Sequence, residues 1–424
     1  MEELGSPTEA SAVRVQRAAT GGAVGRLDDG RVVFVRHSLP GELVDVRVTE
    51  RTRSFARGDA VRVLEASPER VVAPCPYARP DGCGGCDLQH ASEDAQRSWK
   101  ATVVAEHLWR IGGLRNSVNV ESAGGGARGS RTRLRCAVSD GGRLALRATR
   151  SHRLVELDSC WIADERLAPA FSSRWPAGAE VELRAIGDGE PFAVARREGP
   201  NGPVVELLSL EARRISPATR SEVVVADRLF LVSPTSFWQS HREAPPRLVE
   251  AVLALAALGE GDSVVDLYSG VGLFAVPAAM AVGPRGRITS VESSPVATGD
   301  ARANSAGLGN LTVREWSVSA RAVHDTVGPD DVVIVDPPRH GLSRGVAPAL
   351  VRRRPRRIVY VSCDAAALAR DLKVLVAGGY RLSDLRVLDL FPMTEHVELV
   401  GLLDIAPAGE ESGLEATDHG PLGG

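Results

Sequence analysis

The chain has 424 residues, 43% hydrophobic and 25% charged, with a formal net charge of -3. That length suffices for two or three domains with proper cores, and the composition is that of a globular, soluble protein rather than a fibrous or intrinsically disordered one. The opening MEELGSPTEASA is acidic and polar, unlike a secretory leader, and the longest apolar stretch, from Leu248, carries a glutamate and is too short to span a bilayer, so a cytoplasmic protein with no membrane partner is expected.

Residues 1–11 are polar and expected to be disordered. Over 12–70, short runs alternate apolar and polar residues and are broken by Gly, Asp-Asp-Gly and Pro-Gly, which predicts a small antiparallel β-barrel of OB-like size. Such barrels bind oligonucleotides or serve only as scaffold. Residues 71–235 form a central α+β domain: a cysteine-bearing segment, a helix from about Ser92 to Ile111, and strands from about Thr132 to Arg228 with turns at SDGGR, IGDGE and EGPNGP. The basic residues are arginines apart from Lys100 and Lys373. Two arginine runs stand out, Arg128, Arg131, Arg133 and Arg135, and Arg352, Arg353, Arg354, Arg356 and Arg357. Either run suits phosphate binding or a solvated face.

The 6 cysteines, in a cytosolic chain of this length, argue for metal binding or catalysis over a disulfide framework. Cys75, Cys83 and Cys86 follow C-x7-C-x2-C, and Cys160 lies far downstream. A zinc ribbon shows two C-x-x-C knuckles, and only one is here. Three clustered thiols plus one distant suit a [4Fe-4S] cluster, and spacing alone leaves iron-sulfur and zinc both open. Cys136 matches no ligand position and reads as core.

Over 236–406 strands alternate with helices, the mark of a parallel, doubly wound α/β sheet. In SVVDLYSGVGLF a strand ends in a turn where Gly270 and Gly272 let the backbone approach a ligand. Glu292 ends the next strand, where a carboxylate can accept ribose hydroxyls. The G-x-G-x-x-G of a dinucleotide fold is missing, so adenosine without pyrophosphate fits better, and S-adenosylmethionine is the common such ligand. Asp336, Pro337 and Pro338 make a rigid turn at the same rim. The run Ile358–Val361 reads as a strand feeding a helix with Cys363 at the junction, a nucleophile or merely a buried space-filler. Residues 407–424 are polar and glycine-rich and expected to be disordered.

The succession SFWQSH, DLYSGVGLF, VDPPRHG, YVSCD and MTEHVELVGLL resembles the RNA uracil-5 methyltransferase family, which modifies tRNA and 23S ribosomal RNA. The resemblance spans about Val13 to Leu403. It implies a class I methyltransferase domain with Rossmann-like topology, a TRAM domain for the barrel, and an iron-sulfur centre held by Cys75, Cys83, Cys86 and Cys160. It also implies S-adenosylmethionine bound by Gln239, Tyr268, Glu292 and Asp336, while Leu273 and His241 depart from the pattern of many relatives. Uracil carbon 5 is too weak a nucleophile to take a methyl group unaided; a thiolate adding at carbon 6 activates it, and a base must then remove the carbon 5 proton. By family position Cys363 is that nucleophile and Glu398 that base, with Glu395 and His396 as neighbouring alternatives. The related cytosine enzymes pair their nucleophile with a second cysteine beside the fourth-strand proline, and Asp336-Pro337-Pro338-Arg339 holds none. The partner expected is RNA, 23S rRNA ahead of tRNA, bound by a monomer. The rival readings are a non-catalytic RNA-binding protein and a small-molecule methyltransferase.

Overall fold

The computed structural model describes residues 11–199, 202–215 and 220–407. The start and tail expected to be disordered lie outside these residues, apart from Ser11 and Pro407 at their margins. The chain divides into two compact units, one made of the residues up to Val103, Val120–Arg247 and Leu388–His396, the other of Val104–Asn119, Leu248–Val387 and the residues from Val397 onward.

In the first unit six strands between Ser11 and Glu65 form one sheet. Its two edge strands, Ser11–Arg14 and Arg17–Ala19, are separated by only Val15 and Gln16, so the sheet has to curl to bring its edges together. The barrel-like form expected from the alternation is therefore present. Its pairing is not wholly antiparallel: Val32–Arg36 runs parallel to Phe55–Glu65. The long strand Leu43–Arg51 lies between these two in sequence, pairs antiparallel with Phe55–Glu65 through three register shifts, and so provides the crossover that a parallel pair needs. Val13, Val33, Val35, Val44, Val46 and Ala56 fill the curl, and Trp99 and Val103 of the helix Glu93–Arg110 pack on it. That helix starts where the sequence places it, with the Ser92 hydroxyl accepting from the Ala95 amide and Glu93 and Asp94 in its first turn.

A second, antiparallel sheet of six strands runs between Arg133–Val138 and Gly202–Leu208, and Cys136 is core within it, 1% exposed. The arginines at spacing two do share a face, but they have partners: Arg133 and Arg135 both reach the fully buried Glu182 on the neighbouring strand, at 3.3 and 3.0 Å. In the second run two arginines have acidic partners. Arg356 pairs with Asp262, and Arg357 with Asp404 and the Ala256 carbonyl, tying strand and helix ends together.

The second unit holds the doubly wound sheet. Seven of its strands lie in the order Leu311–Glu315, Arg287–Glu292, Ser263–Leu267, Val332–Val335, Arg357–Ser362, Glu398–Ile405, Tyr380–Asp389. The first five are parallel, and Glu398–Ile405 is antiparallel to Arg357–Ser362. Val332–Val335 is buried along its length, as expected of a strand covered on both faces. Chain order reverses between Ser263–Leu267 and Val332–Val335, which makes the carboxyl ends of these two strands the ligand crevice. No helix among the described residues is long and apolar enough to cross a membrane.

Candidate active site

The crevice is built by strand ends and the tight turns that follow them. After Ser263–Leu267 the chain enters Tyr268 at φ 62° and Gly270 and Gly272 at φ 54° and 89° before the helix Ala275–Ala281. Tyr268 is not glycine, so its left-handed backbone is strained and must be held by its surroundings; its hydroxyl accepts from the Ser343 amide at 3.3 Å. Nothing lies within 4 Å of where a Cβ on Gly270 would sit, so the turn leaves open space beside its backbone. Glu292 is pinned to this turn. One carboxylate oxygen accepts from the Gly270 amide at 3.0 Å, the other from Ser293 and Ser294 at 2.7 Å each. That second oxygen also accepts from the Ser293 hydroxyl at 3.2 Å, which leaves the free lone pair on the oxygen facing Gly270.

Cys363 follows Arg357–Ser362 directly and precedes Asp364, whose side chain caps the helix Ala365–Ala377 by accepting from the Ala367 amide at 2.8 Å. In the antiparallel pairing Ser362 faces Leu399. One step further, the same register brings Cys363 opposite Glu398. The hairpin sense of the last two strands thus carries a carboxyl group from far along the chain to the thiol.

The electrostatics of this rim are one-sided. Glu398 is 6% exposed, and burial first, then the nearby Asp336, holds its carboxyl well above the ordinary range, with Arg339 opposing. Burial pushes Asp336 up to about 7. Burial also pushes the Cys363 thiol up to about 12, Glu398 adds to the rise, and Arg339 opposes it. Asp266, fully buried at the penultimate position of its strand, is raised by burial and then by Asp336. Motif reasoning did not assign Asp266 and Arg339 a role; the signal for Asp266 was an acid inside a run of valines and leucine, which is unfavourable without a task.

In the first unit, Gln239 is buried and its backbone carbonyl accepts from the Thr132 hydroxyl. His241 is buried and neutral, its value lowered to about 4 by burial and by Arg131 and Arg242. Cys75, Cys83, Cys86 and Cys160 line one cavity of about 170 Å3, together with Tyr77, Gln89 and Trp161. Burial pushes Cys83 up to about 11 and Cys86 up to about 12. No group of three or more His, Cys, Asp or Glu side chains among the described residues is gathered as a metal-ion site.

Residues 15–61 match the TRAM domain, and residues 329–405 match the family described as tRNA (Uracil-5-)-methyltransferase. An RNA methyltransferase of Streptomyces coelicolor is 40% identical over 94% of this chain and 93% of its own length. The 23S rRNA (uracil(1939)-C(5))-methyltransferase RlmD of Chromohalobacter salexigens is 33% identical over 99% and 95%. The chain belongs to the RNA (uracil-5-)-methyltransferase family. Among solved structures, the tRNA (uracil-54, C5)-methyltransferase of Pyrococcus abyssi, in complex with S-adenosyl-L-homocysteine, superposes with a TM-score of 0.64 at 26% identity. It covers 92% of this chain and 100% of its own. Membership makes the protein an S-adenosylmethionine-dependent enzyme acting on uracil carbon 5 of RNA, and the open glycine turn with its pinned carboxylate fits an adenosine ligand.

Proposed function

We propose that this enzyme methylates a uridine of structured RNA, 23S rRNA ahead of tRNA, through a covalent adduct in which Cys363 is the nucleophile and Glu398 the base. The observation that carries the roles is the strand register, which sets a thiol and a buried carboxyl side by side at the crevice. Cys363 Sγ adds to carbon 6 as the thiolate, and the electron pair released into the ring makes carbon 5 nucleophilic. S-adenosylmethionine supplies the methyl group when bound, held by Tyr268, Glu292 and Asp336 and, by the family resemblance, Gln239. Glu398, acting in its ionised form, then takes the proton from carbon 5, the ring double bond re-forms, and the carbon 6–sulfur bond breaks to return the thiolate. Asp336 and Glu398 also suit a cationic sulfonium, because burying acids of one sign at one rim is relieved by a positive charge.

For the cysteine cavity we propose a [4Fe-4S] cluster, with zinc as the alternative. The fit rests on four thiols around one cavity larger than a single ion needs. Burial raises Cys83, Cys86 and Cys160 toward the protonated thiol, so a bound metal would have to displace those protons. The preference for 23S rRNA rests on the RlmD likeness over nearly the full chain.

The test uses RNA bearing 5-fluorouridine, whose carbon 5 has no proton to give up. Enzyme and cofactor should form a denaturation-stable complex with it, and peptide mapping should find the RNA on Cys363. Attachment elsewhere, or turnover by Cys363→Ala, would overturn the assignment. Methylation profiling of cellular RNA with and without the gene then distinguishes 23S rRNA from tRNA.

A further inference from the structure

The segment Leu388–His396 joins the last two strands of the catalytic sheet, yet it belongs to the other unit. Only Val397 separates it from Glu398. Its anchors are unusually specific. Lys100, one of two lysines in the sequence, is completely buried on the helix Glu93–Arg110; its ammonium meets Asp389 at 2.5 Å and donates to the Phe391 carbonyl at 3.0 Å. Gln96, one helical turn earlier and on the same face, is 1% exposed. Its carbonyl oxygen accepts from the Met393 amide at 2.8 Å, and its amide nitrogen lies 3.3 Å from the Met393 sulfur. The Met393 carbonyl accepts from the Leu88 amide at 3.0 Å, and Glu395 accepts from the Gly21 amide at 2.8 Å.

Met393 itself stands at φ 68°, a conformation that an unbranched apolar side chain avoids unless its surroundings impose it. The surroundings here do: its side chain packs with Ala127 and Ile162 and against Cys86 and Cys160. A buried lysine and a buried glutamine are both expensive unless fully partnered. Lys100 spends its bonds on Asp389 and Phe391, and Gln96 reaches Met393 while its amide nitrogen also donates to the Ala91 carbonyl at 3.0 Å. A connection between two strands needs nothing of the kind; most are short surface turns with few anchors.

We propose that Lys100 and Gln96 are positioning residues that latch the Leu388–His396 strap and thereby fix Glu398 at the distance and angle needed for proton removal. The inference rests on the proposed role of Glu398. None of the residues assigned to the cofactor or to the attack lies in the strap, so loosening it should slow the last step and spare the earlier ones.

The experiment compares Gln96→Leu, Lys100→Met and Glu398→Gln in the full-length protein with a substrate RNA. Single-turnover methyl transfer and S-adenosylmethionine affinity are expected to stay within twofold of wild type in Gln96→Leu. Resolution of the RNA adduct should slow at least tenfold, so that the adduct accumulates as in Glu398→Gln. Backbone hydrogen exchange supplies a second readout, with faster exchange expected at Thr394–Glu398 and unchanged exchange at Arg357–Ser362. If Lys100→Met does not fold, Gln96→Leu alone carries the test, since it removes no charge. Adduct that resolves at the wild-type rate in Gln96→Leu, while Glu398→Gln accumulates it, overturns the latch. No adduct in Glu398→Gln overturns the base assignment instead, and the latch then stands or falls on the exchange at Val397 and Glu398.

Discussion

Replacing Glu398 by glutamine should separate catalysis from stability in opposite directions. The carboxyl is 6% exposed, raised by burial first and then by Asp336, so the folded enzyme holds it neutral well above pH 4.5. Glutamine has nearly the same shape and no charge, so folding loses no ion pair. The sign of the pH effect follows from linkage: a carboxyl raised in the folded state contributes fully below its unfolded value, and the contribution is lost as pH rises through the folded value. Asp336 sets the scale of such effects. Its rise from 3.8 to about 7 is about three units, ~4 kcal/mol at ~1.36 kcal/mol per unit, an upper bound because part of Asp336 stays accessible. We therefore predict that Glu398→Gln matches wild type near pH 4.5 and becomes the more stable protein by pH 8, read from denaturant midpoints. Turnover should fall ~10²–10⁴-fold, ~3–5 kcal/mol of barrier, the usual worth of a general base. A variant that turns over normally, or one whose stability advantage shrinks as pH rises, would refute the reasoning.

The thiol of Cys363, pushed up to about 12 by burial and by Glu398, should react slowly with iodoacetamide at pH 7.5, with a rate climbing about tenfold per pH unit up to pH 10; a plateau near pH 8 would contradict the buried setting. Anaerobically purified enzyme should be brown with about four irons per chain, and Cys83→Ser or Cys160→Ser should bleach it, whereas colourless protein with one zinc would select the alternative. Because Arg133 and Arg135 are already engaged with Glu182, Arg133→Gln should lower stability by ~1–3 kcal/mol and leave the slope of log RNA affinity against log salt unchanged. A slope shallower by about one unit would mean that this arginine reaches phosphate after all.

What could be read ahead of the structure was whatever is local. The strand before Cys363, the helix after it and the glycine turn at 270–272 follow from short-range pattern and turn chemistry, and the alternation from Val13 onward gives the curled sheet. Non-local pairing was not readable. The parallel contact of Val32–Arg36 with Phe55–Glu65 depends on how a bulged hairpin folds back, which a period-two pattern leaves undetermined. Spacing put Arg133 and Arg135 on one face, but their partner Glu182 sits across a strand pairing that spacing does not encode. Gln96 and Met393 are 297 residues apart, and although Met393 opens MTEHVELVGLL, Gln96 lies in no motif.

Asp266, Asp336, Cys363 and Glu398 are all acidic groups displaced toward their neutral forms, and Arg339 is the cation opposing the shift at both Cys363 and Glu398. A fold gains nothing by collecting such groups, since each is costly to ionise beside the others. The cost falls when a positive charge enters: a cation ~5 Å away in a medium of effective dielectric constant ~20 contributes ~3 kcal/mol, about two pKa units, toward the ionised form of each neighbour. A sulfonium ligand carries that charge and the neutral product, S-adenosylhomocysteine, does not. On the proposed mechanism, the acids that disfavour the Cys363 thiolate are relieved by the sulfonium, which would couple the nucleophile to the presence of the methyl donor.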